Sequence, residues 1–590
     1  MSGKELKNKQ RILVIAEVAN AHEGRVEDAQ KLITAAAEAK ADAVKFQRFS
    51  ADELLVRNHS RYAHFDKLAM PNSDWMKVRE LARKYRLKFF CDVFGFQSFD
   101  FVKKLDAGGI KIHSSDLMNL PLLKRISAEW EKDILVACGG ASEFEIFQAL
   151  KTLLNDGNRD RVCLLHGFQN FPTAVEETHL LRIKTLNETF NLPVGFMDHI
   201  DAENPLSRTL PLMAIGSGAC AVEKHITLDR SKKGIDYYSS LEPAELTALV
   251  KEIRRCEGAL GSPDIAFCSG ELTYRIKMKK HLVTTRSVKK GQVLVEADLD
   301  YKRAETQAFP LDIQRALGHK AKVDLGPDTP VTLSHLEAIV GILIIARFNS
   351  KRLPGKAVLP ILGKPALSYL IERAKLCRTP QKIILCTTIN PEDDALEQLA
   401  RSDGIVCYRG EDSDVIARLL GACQAEGLDV AIRVTGDDIF LSPQHLDDAV
   451  KLLLDTNADY SHDKGLISGS ECEVFSTQAL QLIYDFAEER KNTEYLTYYI
   501  ENDNFRKVEL EVPEDLRRNI SLTLDTPEDL EKITFVLKNI YRPGRSFTQQ
   551  ELIAFVDKYP EKFPTRKPAD GASLQDTMNC RLSFKGRLST

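Results

Sequence analysis

Short β-type runs alternate with amphipathic helical stretches eight times before residue 265, and this pattern constrains the fold more than any other feature of the chain. The runs cover residues 12–19, 43–49, 88–94, 109–115, 134–139, 162–168, 193–199 and 220–227. Between them, stretches such as 29–40, 75–85, 144–154 and 243–260 repeat apolar residues at three- and four-residue spacing, as a helix with one buried face requires. Parallel strands need long crossovers rather than tight turns. Eight strand–helix units therefore predict a closed (β/α)8 TIM barrel over residues 1–265.

The chain has 590 residues, and a single hydrophobic core stops growing at roughly 250–300. After the linker Gly261-Ser262-Pro263, residues 277–338 change texture. Val283-Thr284-Thr285-Arg286, the turn Lys289-Lys290-Gly291 and Leu325-Gly326-Pro327 predict short strands and turns, a compact β-rich module without long helices. From 340 to 562 strand–helix alternation resumes, with strands expected at 341–346, 383–387, 405–408 and 431–435, which predicts an open α/β sheet. The tail, 563–590, has no periodicity and is expected to be disordered.

A net charge of −4 argues against nucleic acid or anionic lipid as a partner. No apolar run reaches the ~20 residues of a membrane span. Lys4, Lys7, Lys9 and Arg11 ahead of Ile12-Leu13-Val14-Ile15-Ala16 imitate a secretory leader, but Glu17 interrupts the short run and a first buried strand is expected. The cysteines are scattered without a Cys-x-x-Cys pair, which argues against a zinc ribbon and predicts reduced thiols in a cytoplasmic protein.

In such a barrel the carboxyl ends of the strands build the site. Here they carry Glu17, Lys45 with Gln47, Asp92, Lys111 with Ser114, His166 with Gln169, Asp198-His199 and Glu223-Lys224-His225. One polar strand end is an ordinary loop-edge residue; a set spanning seven strands is hard to explain by packing. His199 and His225 end the seventh and eighth strands, neighbours in a closed barrel, and two imidazoles suit a divalent cation with positions left for substrate. Lys45 and Lys111 supply fixed positive charge at the same mouth, suited to a phosphate and a carboxylate, both of which phosphoenolpyruvate has.

Ala16-Glu17-Val18, His22, Gly24 and Ala41-Asp42-Ala43-Val44-Lys45-Phe46-Gln47 resemble the sialic acid synthase family, as do Ile110-Lys111-Ile112-His113-Ser114, Phe171-Pro172-Thr173, Asp198-His199, Glu223-Lys224-His225 and Gly234-Ile235-Asp236. The resemblance extends to the small module, which is similar to that family's antifreeze-like (SAF) domain. It implies condensation of phosphoenolpyruvate with an aldose to a 3-deoxy-2-ulosonic acid. It further implies Mn²⁺ or a similar cation on His199 and His225, phosphoenolpyruvate on Lys45, Lys111 and Ser114, and the aldose facing Glu17, Gln47, Gln169, Glu223 and Asp236. Arg303, in Lys302-Arg303, matches an arginine that closes the partner subunit's site, so a domain-crossing homodimer is implied. By the same resemblance the cation polarises the aldehyde oxygen, and a metal-bound or Glu17-activated water adds at the developing cation. Asp92 stands where Thr is usual, Asp116 where Glu is usual, Ala137-Cys138 where Ser-Thr is usual, and Met197 where Ser is usual. An unpaired Asp92 would repel an anion, so pairing with a lysine is expected.

The second α/β segment opens with the strand Gly341-Ile342-Leu343-Ile344-Ile345-Ala346, which runs into Arg347-Phe348-Asn349-Ser350-Lys351-Arg352-Leu353-Pro354-Gly355-Lys356. Backbone N–H groups of such a turn can face an anion, and four cations surround it. It is not a Walker loop, since no Gly-Lys-Ser/Thr opens the helix. Asp437 and Asp438 end a later strand, and Asp525 precedes a helix, where capping it is an equally good reading. Two converging aspartates suit Mg²⁺ and a triphosphate.

The loop, Thr387-Thr388…Asn390-Pro391-Glu392-Asp393-Asp394, Arg409-Gly410 and Leu524-Asp525-Thr526-Pro527-Glu528-Asp529-Leu530 together resemble cytidylyltransferases that activate ulosonic acids, nearest to the spore-coat polysaccharide branch. That resemblance implies CTP contacts from Arg347, Ser350, Arg352 and Lys356, Mg²⁺ on Asp437 and Asp525, and a sugar acid near Glu473 and Glu494. Two consecutive activities on one chain follow: synthesis of a ulosonic acid, then its conversion to the CMP derivative. Two alternatives stay open, a synthase fused to a glycosyltransferase, and an inactive barrel serving as scaffold for a nucleotide enzyme.

Overall fold

The computed structural model describes residues 11–565 and 580–584, apart from 156, 171, 264, 351, 491, 492, 494 and 495. Phe171, Lys351 and Glu494, named above, lie outside the described residues. The chain forms two compact units, Met1–Pro263 and Asp264–Thr590. No helix among the described residues is long and apolar enough to cross a membrane.

In the first unit, β1 (Leu13–Ala19), β2 (Ala43–Arg48), β3 (Lys88–Val93), β4 (Gly109–Ile112), β5 (Asp133–Ala137), β6 (Val162–His166), β7 (Val194–Asp198) and β8 (Ala221–His225) pair in that order and close into a barrel. Side chains alternate across each strand. Val14, Ala16, Val44 and Phe46 face the helices in the outer core. Leu13, Ile15, Ala43, Phe90, Leu135, Leu165, Met197 and Ala221 fill the barrel interior. Gly109 is required by this packing, because a Cβ there would lie 2.2 Å from the Phe90 ring. One step further along the inward-facing positions, the apolar filling gives way to Glu17, Lys45, Asp92, Lys111 and Glu223, all buried.

In the second unit, β9 (His281–Thr284) and β10 (Leu299–Lys302) form an antiparallel pair. Leu282, Val288, Leu294, Leu325 and Val331 of this module belong to the same core as Val340, Ile342 and Ile344 of the next strand. Buried Asn457 fastens the two parts. Its Nδ2 donates to the carbonyls of Phe309 (3.0 Å) and Val331 (3.3 Å), and its Oδ1 accepts from the Leu333 N–H at 2.8 Å.

A seven-stranded sheet follows: β11 (Val340–Ile345), β14 (Lys382–Thr388), β15 (Val406–Gly410), β16 (Val430–Thr435), β17 (Tyr460–Asp463), β18 (Glu473–Ser476) and β19 (Lys507–Leu510), with the two-residue hairpin β12 (Pro360–Ile361) and β13 (Lys364–Pro365) beside it. The order is β15-β14-β11-β16-β18-β17-β19. Chain progression from β11 runs outward to β14 and β15 on one side and to β16 on the other. Such a reversal leaves a crevice at the carboxyl ends of the central strands.

The expected disorder of the tail does not hold for residues 580–584. Leu582 bridges Ala487, the Glu488 N–H donates to the Arg581 carbonyl at 2.9 Å, and the Phe584 ring lies 4.7 Å from that of Phe486. Strand pairing and an aromatic contact at the far end of this stretch supply an anchor that periodicity does not reveal.

Candidate active sites

The charged layer in the barrel interior sets three carboxylates against two lysines. Lys45 Nζ lies 2.7 Å from Asp92 Oδ1, 3.7 Å from Glu223 Oε1 and in direct contact with Glu17. Lys111 Nζ donates to Glu223 Oε1 at 2.7 Å and lies 3.9 Å from Asp92 Oδ2. Asp92 is therefore paired, as its place in an anion site requires. Burial opposes every charge here. It lifts the Glu17 carboxyl to about 8, against the attraction of Lys45 and with the help of Glu223 and Asp92. Burial also works against the Lys45 ammonium, but Asp92, Glu17 and Glu223 together hold it well above the ordinary lysine value. Burial thus disfavours the Glu17 carboxylate, even with Lys45 in contact. Activation of a water by Glu17 needs the carboxylate form, which burial disfavours.

A register shift falls between Glu17 and Ala19 in the β1–β2 pairing, and Ala19 takes φ +46. This bulge ends regular pairing directly after Glu17 and turns the chain out of the barrel mouth.

His199 and His225 are brought together, with ring centroids 5.1 Å apart. Burial holds His199 down at about 3, and burial with the neighbouring His199 holds His225 well below the imidazole range. His199 Nδ1 is buried and has no hydrogen-bond partner. Two neutral imidazoles, one with an orphaned ring nitrogen, fit a divalent cation. Among the described residues no group of three or more His, Cys, Asp or Glu side chains is arranged to hold a metal ion, so the protein's own donors would be these two rings. Asp236, at φ +57, puts Oδ2 3.8 Å from His225 Nδ1, and its Oδ1 accepts from Gln169 Nε2 at 2.9 Å. Gln47 accepts from Asn20 Nδ2 at 2.8 Å. Ser114 opens a short turn after β4. Arg303 follows β10 in the second unit and is exposed.

Asp198 and Lys224 carry no role in the sequence reading, yet they support the histidines. They are register partners on β7 and β8, both fully buried, with Lys224 Nζ 2.8 Å from Asp198 Oδ2. Asp198 Oδ1 also accepts from the Ile200 N–H at 3.1 Å. The pair ties the two strand ends one residue before His199 and His225. Alternating polar residues in Asp198-His199 and Lys224-His225 were the available signal.

In the second unit a cleft of about 750 Å³ opens beyond β11 and β16, and Arg347, Ser350, Arg352, Lys356, Asp437 and Asp525 all line it. Lys356 Nζ bridges Asp437 and Asp525, the latter at 2.9 Å, and Arg352 reaches Asp525 at 3.0 Å. Burial opposes the Lys356 charge, but the two aspartates hold its ammonium above the usual range. Asp525 is not the helix cap. Thr526 caps helix Pro527–Ile540, its hydroxyl accepting from the Asp529 N–H, and this leaves the Asp525 carboxylate to the cleft. The two carboxylates form an oxygen donor set that fits Mg²⁺. Glu473 does not stand free for a sugar. It is engaged by Arg433, by the Tyr460 hydroxyl at 2.8 Å and by Thr497 at 2.6 Å.

Buried Asp393 holds the loop in place. Its Oδ1 accepts from the Phe348 N–H at 2.7 Å, and its Oδ2 accepts from the hydroxyls of Thr387 (2.7 Å) and Thr388 and from the Thr388 N–H (2.9 Å). Gly355, at φ +67, closes the loop by donating its N–H to the Phe348 carbonyl at 2.8 Å. Removing the Asp393 carboxylate orphans several donors at a cost of about 1–3 kcal/mol each. Asp393→Ala is expected to raise the KM for CTP about tenfold, a loosened loop being worth one charge-assisted contact. Steady-state kinetics at varied CTP checks this, and an unchanged KM would show that the loop holds its form without Asp393.

Comparison with known proteins places the chain among known families. The chain is 30% identical to the N,N'-diacetyllegionaminic acid synthase of Legionella pneumophila over 342 residues, 55% of this chain and 94% of that protein. It belongs to the NeuB family. The NeuB family model matches residues 32–264, the SAF domain model 280–337 and the Cytidylyltransferase model 341–553. A pseudaminic acid synthase of Campylobacter jejuni is 29% identical, covering 53% of this NeuB chain and 94% of its own. An uncharacterized protein of Methanocaldococcus jannaschii is 38% identical over 226 residues, covering 38% of this chain and 92% of its own. A NeuB-type barrel, an SAF domain and a cytidylyltransferase domain thus follow one another in this chain. Arg418 and Arg433 also line the cleft. They lie on a helix and a strand whose local patterns read as ordinary core elements, so only the packing exposes them.

Proposed function

We propose that the barrel condenses phosphoenolpyruvate with an aldose to a 3-deoxy-2-ulosonic acid, and that the C-terminal domain transfers CMP from CTP to such an acid. The observation that carries the first half is the neutral His199–His225 pair in the barrel whose interior also holds the Lys45–Lys111 layer. The names of the relatives, synthases of N,N'-diacetyllegionaminic and pseudaminic acids, support a product of that class.

Lys45 and Lys111 offset the charge of the enol phosphate, with Asp92 and Glu223 orienting their ammonium groups. The methylene carbon of phosphoenolpyruvate forms a bond to the aldehyde carbon, and the aldehyde oxygen takes the Glu17 proton as it becomes a hydroxyl. Water adds to the phosphate-bearing carbon and returns a proton to Glu17; the bond from that carbon to the phosphate oxygen then breaks, the added hydroxyl's proton leaves with the phosphate, and a ketone remains. A divalent cation on His199 and His225 would supply Lewis acidity toward the aldehyde oxygen when bound. In the cleft, Arg347, Ser350, Arg352 and Lys356 hold the triphosphate, and Mg²⁺ on Asp437 and Asp525 would offset its charge when bound. The anomeric hydroxyl oxygen of the acid attacks the α-phosphorus, and pyrophosphate leaves. Catalysis there is positioning and charge neutralisation.

Incubating the full chain with a panel of aldoses, phosphoenolpyruvate, CTP and divalent cation tests both halves, with phosphate and pyrophosphate read separately. Aldose-dependent phosphate release, followed by pyrophosphate release, is expected. Phosphate release without pyrophosphate would favour a glycosyltransferase, and pyrophosphate release only with added ulosonic acid would favour an inactive barrel.

The Glu17 proton sets a pH dependence. The carboxyl is raised, so the proton-bearing form prevails below its value of about 8 and is lost above it. The rate of phosphate release is expected to fall as pH rises through about 8. Glu17→Gln should lower the rate by about 10²–10⁴ and leave no such limb. A descending limb that survives in Glu17→Gln would assign the proton elsewhere.

A further inference from the structure

The cytidylyltransferase domain contains a second cavity, of about 270 Å³, between helix Ala366–Ala374, the end of helix Pro527–Ile540 and the segment 541–547. No residue lines both this cavity and the nucleotide cleft. At its wall lies Arg373, only 4% exposed. Its Nε donates to the Leu441 carbonyl and its Nη1 to the Phe547 carbonyl at 3.2 Å, and the guanidinium carbon stands 4.1 Å from the Phe547 ring centroid. Neither carbonyl carries a formal charge, and among the described residues no carboxylate pairs with this cation. The remaining nitrogen, Nη2, makes no hydrogen bond among the described residues. Burial pulls the guanidinium down to about 10. Buried charges are ordinarily paired, since an unpaired one costs several kcal/mol.

The surroundings supply more positive charge and an aromatic wall. Arg542 and Arg545 line the mouth; among the described residues the Arg542 side chain donates only to the Tyr541 carbonyl, and Arg545 pairs with Glu551. The one acid lining the cavity, Glu372, is held by Lys364 and by the Tyr541 hydroxyl at 3.1 Å. Tyr369 and Tyr541 meet edge to face with centroids 4.9 Å apart.

We propose that this cavity is a binding site for a small oxyanion, a phosphate monoester or a carboxylate with a flat apolar body, whose charge pairs with Arg373 and Arg542 while its body lies against the tyrosines. The site is separate from both reactions described above. Its volume is near the lower limit of small-ligand pockets, roughly 300 Å³, and too small for a nucleoside triphosphate. A planar guanidinium with a free edge favours bidentate recognition of such groups.

Calorimetric titration of the full chain with phenyl phosphate, benzoate and inorganic phosphate, each with and without saturating CTP, tests this. Saturable 1:1 binding of phenyl phosphate or benzoate that CTP does not displace is expected, and which of the two binds more tightly separates phosphate from carboxylate ligands. Arg542→Ala, at an exposed position, should weaken it about tenfold, the value of one charge-assisted hydrogen bond. Arg373→Lys, which keeps a buried cation, should also weaken it. No saturable binding up to about 10 mM, weaker than any specific small-anion site of this kind, would overturn the proposal. Displacement by CTP would overturn it too, as would affinity unchanged in Arg542→Ala, or binding of inorganic phosphate alone, which would mark an adventitious ion only.

Discussion

Asp198→Ala is expected to destabilise the barrel unit by about 3–5 kcal/mol, because it strands a buried ammonium. Lys224 and Asp198 are both fully buried and 2.8 Å apart, so neither water nor a second acid is at hand to replace the lost partner. For a unit of this size that loss corresponds to a drop in melting temperature of roughly 10 °C. Replacing both residues, as Asp198→Leu with Lys224→Met, should recover most of the stability, since an apolar pair of similar volume carries no desolvation cost. Phosphate release should stay low in the double variant, because the strand ends that present His199 and His225 lose their cross-strand tie. Scanning calorimetry of the single and double variants decides it. A single variant within about 1 kcal/mol of the parent would place the pair among the solvent-screened contacts.

Lys356→Met is expected to lower pyrophosphate release by about 10²–10³, the usual effect of removing one preorganised donor from a developing charge. Phosphate release from the barrel should remain within twofold of the parent, since Lys356 belongs to the other compact unit. The lysine contacts both Asp437 and Asp525. Its removal therefore also frees two carboxylates, and the variant should need a different Mg²⁺ concentration for half-maximal rate. Coupled assays on one preparation measure both products. Equal losses of phosphate and pyrophosphate would show that the units do not act independently, and unchanged pyrophosphate release would remove Lys356 from the nucleotide site.

Most of the barrel was readable from periodicity. Each strand begins and ends within a few residues of its apolar run, because a parallel strand covered on both faces reads as a short, nearly continuous apolar run. The strand-end position of Lys45, Lys111, His199 and His225 was readable for the same reason. The pairing of Asp92 was expected from charge alone, and Lys45 supplies it at 2.7 Å. The role of Asp525 was less legible, since an acid ahead of Pro527 and Glu528 reads equally well as a helix cap. The adjacent Thr526, with its capping box to Asp529, takes that position instead.

Other features depend on contacts between distant segments. The raised Glu17 carboxyl arises because three acids and two lysines from five strands meet in one buried layer, and no one strand carries that imbalance. Asp393 orders a loop that ends more than thirty residues before it, and the unpaired Arg373 lies on a helix that reads as plain core. Local alternation of polar and apolar residues is enough to specify elements and their facing, because burial acts residue by residue along each element. Charge balance, protonation and the emptiness of a cavity are sums over everything within a few ångströms, so they exist only once the chain has closed on itself.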